Sequence, residues 1–445
     1  MIRPHPAAAL DLGRDGRRPD RRLIALLAAT SAVTAANVYL NQPLLGAVAA
    51  SLGVGRDTLG AVPTATQLGY AAGILLLVPA GDGHDRRRLI LGLGTASAFA
   101  LAACALSPSA WFLIVSSFAV GLLSPVPQLV TPLAVALAGG DTGRDTAGDT
   151  AGDTGGDKGD GGRARGRIVG VVQGGLLVGV LASRAYSGAF AEVAGWRAVY
   201  GCSCALTLVL VIVLRRALPH VPAAARISYR ATLASLPKLF VSRPLIRRIT
   251  ISGALVGIAF GAFWTTLTFL LERQYHFGSS TIGLFGLVAA ASALASPYAG
   301  RMTERLGRRR ALAVLIGLVI AGWLILLPGA TGLWWLIAGV LVLDVGVWGS
   351  QAVCQTVLFT LDPATHNRLN TVYFTLRFLG IALGSLLGSL AWAGGAWPAV
   401  VTTGVVAALA GLLVCLLPTT GWTAAPSASS SNPAEAHAAQ SPSTV

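Results

Sequence analysis

The stretch "GRMTERLGRRR", Gly300 to Arg310, sets one acid and five arginines between two long apolar runs. An earlier stretch, "GDGHDRRRLI" from Gly81 to Ile90, has the same plan. Gly81-x-x-x-Asp85-Arg86 aligns with Gly300-x-x-x-Glu304-Arg305. Both are charged punctuation in an apolar chain. Of the 445 residues, 54% are hydrophobic and 11% charged, and mean hydropathy is +0.68. A soluble domain carries about a quarter charged residues. This chain has too little polar surface to cover a core in water, so the solvent that fits it is a lipid bilayer.

A membrane-crossing helix needs about 20 mainly apolar residues. That rule predicts twelve spans, at 23–45, 58–80, 89–107, 111–138, 168–190, 197–214, 249–271, 281–299, 311–328, 333–358, 371–392 and 398–417. Each charged loop then joins the second and third spans of its half. With the N-terminus inside, 28 of the 33 Lys and Arg residues fall in inside segments. Arg56, Arg197 and Arg273 lie outside, while Arg184 and Arg377 lie within spans. This positive-inside imbalance predicts cytoplasmic N- and C-termini.

The expected organisation is a basic cytoplasmic N-terminus (1–22), a six-helix bundle (23–214), a basic cytoplasmic central loop (215–248), a second six-helix bundle (249–417) and a disordered tail (418–445). Inside the first bundle, residues 139–166 read "GGDTGRDTAGDTAGDTGGDKGDGGRARG". Such a repeat has almost nothing to bury and is expected to be a disordered cytoplasmic loop. Its acids follow neither the EF-hand nor the nonapeptide calcium spacing.

Several function classes are disfavoured. The net charge of +15 sits in short arginine clusters without an aromatic-rich basic face, so no nucleic-acid partner is expected. The cysteines lie in apolar stretches and read as packing residues. The histidines are scattered through loops and tails without ligand spacing, so neither a metal nor a cofactor is expected. No G-x-x-x-x-G-K-[ST] loop exists for an ATP-driven pump. Arg17, Arg18, Arg21 and Arg22 precede an apolar run longer than a signal peptide's, which reads as an uncleaved first span.

Two parallel six-span repeats about an axis along the membrane normal are the plan of the major facilitator superfamily, which the chain resembles over nearly its whole length. The family signature is a G-x-x-x-D-R-x-G-R-R loop. The second copy fits with Glu304 for the acid, and the first has Arg88 in place of the second glycine. The segments "NVYLNQPLL" (37–45), "PTATQLGYAAGILLLVPAGD" (63–82), "LLVGVLASRAYSG" (176–188), "GWRAVY" (195–200) and "RLNTVYFTLRFLG" (368–380) resemble a bacterial branch labelled drug or sugar efflux permeases of the drug:proton antiporter kind.

The resemblance implies an all-α integral membrane protein of about twelve helices in two pseudo-symmetric bundles. It implies a monomer in the bacterial cytoplasmic (inner) membrane, with a small-molecule substrate, protons and anionic lipid headgroups as partners. It further implies that Asp85 and Glu304 meet the positive end of a helix from the other half. With Gly81, Arg86, Gly300 and Arg305 they would then form a cytoplasmic gate. A carboxylate at a helix N-terminus contributes about 0.3–1 kcal/mol, a scale suited to a latch that opens in every cycle. Arg87, Arg88, Arg309 and Arg310 read as headgroup anchors. The glycine-rich fifth span (Gly166, Gly170, Gly174, Gly175, Gly179) resembles the antiporter helix that packs against the eighth, without its Gly-Pro pair.

Charges at bilayer depth are costly and mark function. Asp344, in "LVLDVGVWGSQ", is the acid deep within a span, whereas Glu192 and Glu272 lie at outer ends. It reads either as a protonatable group in a central cavity or as half of a static pair. Arg184 and Arg377 read as substrate contacts, as partners of a distant acid, or as snorkelling side chains. Since the superfamily lines its cavity with the first, fourth, seventh and tenth spans, Asn37, Asn41, Gln128, Gln351 and Gln355 become candidate lining residues. Interhelical hydrogen bonding is their alternative role. Pro43 and the group Pro125, Pro127 and Pro132 are expected to interrupt the first and fourth spans. Tyr39, Tyr70, Phe263, Trp264 and Trp348 are candidate apolar contacts. The expected function is secondary active transport by alternating access, as proton-coupled efflux. A uniporter, an importer or a non-transporting membrane sensor is the alternative.

Overall fold

The computed structural model describes residues 21–138, 158–218, 229–290, 302–303, 305–359, 361 and 366–418. Gly300, Glu304 and most of the Asp/Gly repeat lie outside them. In lipid, every backbone N–H and C=O must find its partner within the protein, and a helix does this locally. The described residues are accordingly helical, with no strand.

Eight helices are long and apolar enough to cross a membrane, and two shorter apolar ones accompany them. The spans, in order, begin with Arg21–Leu52, Ala61–Leu77, Arg86–Ala105 and Ala110–Ala134. The fifth and sixth are two helices within Lys158–Ala217, separated by non-helical backbone at Gly195. There φ is +81°, where a side chain would be strained. Pro244–Gln274, Ser279–Ala290, Arg308–Ala330 and Leu333–Leu358 follow as the seventh to tenth. The eleventh and twelfth are two helices within His366–Leu416, separated by non-helical backbone at Gly395 and Ala396. The first span is broken by a 3-10 turn, Gln42–Leu44, at Pro43. The fourth is broken between Leu123 and Val126, at Pro125. Both breaks fall where proline removes a backbone donor.

Two segments carry more structure than their composition suggests. The fifth span starts at Lys158, inside the low-complexity repeat, and the central loop contains a helix, Tyr229–Ser242. That helix rests on the seventh span, and the Tyr229 hydroxyl donates to the Leu76 carbonyl at 2.9 Å. Once helix ends and packing partners are supplied by neighbours, low local propensity is overridden.

The halves are built alike. In the first, the fifth span approaches the first so closely that a Cβ on Gly175 would stand 2.4 Å from the Ala28 carbonyl oxygen, and one on Gly179 2.1 Å from that of Ala32. In the second, Gly380 and Gly384 of the eleventh span meet the carbonyls of Ala254 and Ile258 in the seventh, both at 2.1 Å. The same four-residue step of glycines serves both contacts, as expected where helices associate through van der Waals packing and small residues. A Cβ on Gly170 or Gly174 would meet nothing within 4 Å beyond its own helix. The contact of the fifth span with the eighth instead comes further along, at Gly188, Gly283 and Gly286. The second and eleventh spans make the other junction between halves.

The charged loops repeat at atomic level too. Arg87 and Arg309 are each the second residue of their helix. The Arg87 guanidinium donates to the Arg215 carbonyl at the end of the sixth span, at 2.5 Å. That of Arg309 donates to the Leu416 carbonyl at the end of the twelfth. Helix C-termini leave carbonyls without partners and carry partial negative charge. These two arginines therefore bind protein, where headgroup anchoring was expected.

Gly384→Ala should lower the unfolding midpoint of the detergent-solubilised protein by an amount corresponding to about 1–3 kcal/mol, while Gly170→Ala should leave it unchanged. Arg87→Ala and Arg309→Ala should each cost about 1 kcal/mol in the same assay. Equal effects at the two glycines would show that the close approach does not govern stability.

Candidate functional site

The buried charged side chains among the described residues are Arg184, Asp344 and Arg377, at 2%, 1% and 3% exposure. Arg184, from the fifth span, points across the junction between halves. Its Nε donates to Gln42 Oε1 at 2.8 Å, and its Cζ lies 3.7 Å from the Trp264 ring centroid in the seventh span. A desolvated cation over tryptophan contributes about 2 kcal/mol. Its Nη2 has no hydrogen-bond partner. Asp344, from the tenth span, stands in the field of Arg184 and beside Trp264, outside ion-pair contact, with Oδ1 unpartnered. One acid, one cation and one indole thus meet where both halves converge.

Further contacts close this end, which lies opposite the basic loops. At the break in the first span, Thr268 Oγ1 of the seventh span donates to the Gln42 carbonyl at 3.0 Å. Glu192, at the end of the fifth span, accepts from the Ser280 backbone N–H at the start of the eighth, at 3.0 Å. A carboxylate at the N-terminus of a helix from the other half is therefore present at this end. At the basic-loop end, Asp85 caps its own helix, accepting from Arg87 N at 2.9 Å with Arg88 Nε at 3.6 Å. Arg86 Nε donates to the Gly81 carbonyl at 3.2 Å. A side chain on Gly81 would meet Leu129, 2.6 Å away. Arg305 is exposed, and its expected partners in the motif, Gly300 and Glu304, lie outside the described residues.

On the basic-loop side of Arg184 lies a small cavity of about 30 Å³. Its walls come from both halves. Tyr39, Tyr70, Gln128 and Gln173 face Trp348, Gln351, Phe374, Arg377 and Phe378. Arg377 Nη1 makes one long hydrogen bond, 3.4 Å, to the Gly253 carbonyl. Asn370 Nδ2 reaches Gln128 Oε1 at 3.4 Å, joining the eleventh and fourth spans.

The candidate residues separate accordingly. Arg377, Gln128 and Gln351 line the cavity, while Arg184 and Asp344 lie near each other outside its lining. Asn37 bonds to Thr207 of the sixth span at 3.1 Å, and Asn41 to Thr66 of the second at 2.9 Å, both inside the first half. Gln355 does not border the cavity. Among the aromatics, Phe263 packs against Trp323 in the core. Sequence reasoning passed over Phe374 and Phe378, which flank Arg377 at helical spacing and give the eleventh span a cavity-facing stripe. Gln42 was legible only as a polar residue of the first span, because its role comes from a tertiary partner and leaves no local signal.

Comparison with known proteins agrees with this architecture. The family model described as Major Facilitator Superfamily matches residues 27–292 and 249–443. The chain is 34% identical over 393 residues to the "Uncharacterized transporter YgaY" of Escherichia coli O157:H7, covering 88% of this chain and 94% of that one. It is 30% identical over 408 residues to a probable transporter of Streptomyces coelicolor, covering 91% and 87%. Among solved structures, the human organic anion transporter MFSD10 superposes with a TM-score of 0.64 at 19% identity, covering 90% of this chain and all of that one. A bacterial homologue of the human lysosomal transporter Spinster, inward-facing and unoccupied, gives 0.65 at 13%, covering 90% and 95%. These two superpositions concern the fold alone. The chain is thus a multi-pass membrane transporter rather than an enzyme, and it belongs to the major facilitator superfamily.

Proposed function

We propose that the protein is a proton-coupled exporter that moves a small molecule across the bacterial cytoplasmic membrane by alternating access, with Asp344 carrying the proton. The observation that supports this reading is the placing of Asp344. It is a buried acid with one unpartnered oxygen, near a cation held by the opposite half. Proton loss or gain there changes the charge facing Arg184, and hence the attraction across the junction. A ligand or proton shifts a conformational equilibrium only through such a differential interaction.

The remaining supports are topological. The positive-inside pattern assigns the basic-loop end to the cytoplasm. The cavity then lies on the cytoplasmic side of Arg184, and the Arg184, Gln42 and Glu192 contacts close the outer side. Asp85 and Arg86, with Gly81, form part of a cytoplasmic gate. Efflux rests on the likeness of the quoted segments to the antiporter branch.

The test uses inside-out vesicles with an acidic interior, challenged with cationic drugs, sugars, amino acids and organic acids. Wild-type protein should discharge the proton gradient on addition of a transported compound, and Asp344→Asn should fall to the level of protein-free vesicles. Equal discharge in both would remove Asp344 as the carrier. Counterflow of a labelled compound without proton movement would replace antiport by uniport.

A further inference from the structure

The three buried charges do not balance. Asp344 lies in the field of Arg184, outside the cavity lining, which leaves Arg377 unmatched. Arg377 is 3% exposed, borders the cavity, and has no carboxylate within ion-pair distance. Its one hydrogen bond to Gly253 is long. Burying an ionised group without a counter-charge is strongly unfavourable, and at bilayer depth such groups mark ligand pathways.

The surroundings narrow the chemistry. Phe374 and Phe378 stack with centroids 6.2 Å apart, and Tyr70 meets Phe378 edge-on at 4.5 Å, placing aromatic surface in the same cavity wall as Arg377. Gln128, Gln173 and Gln351 add neutral donors and acceptors. None of the cavity's lining residues is an acid. A cationic cargo would therefore meet Arg377 without compensation. An uncharged sugar would leave Arg377 unmatched and the rings without apolar partners.

We infer that the cargo is a small organic anion, with an apolar ring-sized body against Tyr70, Phe374 and Phe378 and a carboxylate-like group held by Arg377. A planar guanidinium suits a carboxylate because two parallel N–H donors meet two oxygens. The inference rests on the protein being a transporter and is independent of proton coupling or the direction of flux.

Binding to the full-length protein in neutral detergent, with no gradient present, tests it. The probes are 2-naphthoate, 2-naphthamide and 2-naphthylmethylammonium, with benzoate and cyclohexanecarboxylate and their amides as smaller pairs. In wild type the acids should bind about tenfold or more tightly than their amides, and the ammonium more weakly still. Arg377→Gln should erase the acid–amide gap, and Arg377→Lys should keep part of it. The inference is overturned if no acid binds, if an amide or the ammonium binds as tightly as its acid, or if Arg377→Gln leaves the gap intact. Should Arg377→Gln fail to fold, Arg377→Lys and the wild-type series decide. Because no gradient is used, a negative result here leaves proton coupling standing, and failed coupling in vesicles leaves the charge preference readable.

Discussion

A charge inside an apolar medium has to be answered by other groups, and in this protein the answer for Arg184 comes largely from the opposite half. Gln42 holds its Nε and Trp264 lies under its guanidinium plane, while Asp344 supplies an opposing charge from the tenth span. The interactions with Trp264 and Asp344 are lost if the halves separate at this end, whereas the Gln42 contact lies within the first half. The solvation of one cation is thereby tied to the arrangement of the two bundles. The internal packing of each bundle, with its close glycine contacts, gives that single interaction two stiff bodies to act on.

Duplication explains much of what surrounds it. Arg87 and Arg309 do the same work at equivalent ends of the third and ninth spans, and the close pair of first and fifth spans recurs as seventh and eleventh. The working residues are not duplicated in this way. Arg184 and Arg377 lie in the corresponding fifth and eleventh spans, yet one faces the junction contacts and the other the cavity. Symmetry builds the frame, and departure from symmetry builds the site.

The spans were legible in the sequence because bilayer thickness sets their length, and their alternation because arginine clusters recur between them along the chain. Asp344, Arg184 and Arg377 were legible because charge is so rare at that depth. The faces of the helices were not. A soluble helix announces its inner face by apolar periodicity, but a membrane helix is apolar towards lipid as well: Phe99, Leu390 and Leu413 are exposed at 70%, 60% and 66%. Asn37 and Asn41 were thus placed at the right depth without a direction, and they turn towards the sixth and second spans. The helical start at Lys158 was hidden for a related reason, since the glycines and aspartates around it are weak helix formers on their own.

Gln42 occupies an unusual position in this arrangement. Its side chain holds Arg184 of the same half, and its backbone carbonyl, beside the break at Pro43, accepts from Thr268 of the other half. One residue therefore joins a contact that stays within a bundle to one that crosses between bundles. Separation of the halves has to release Thr268 and can leave the Arg184 contact made. The first half thus keeps its side of the closure assembled, and re-closing has only the crossing bond to find again.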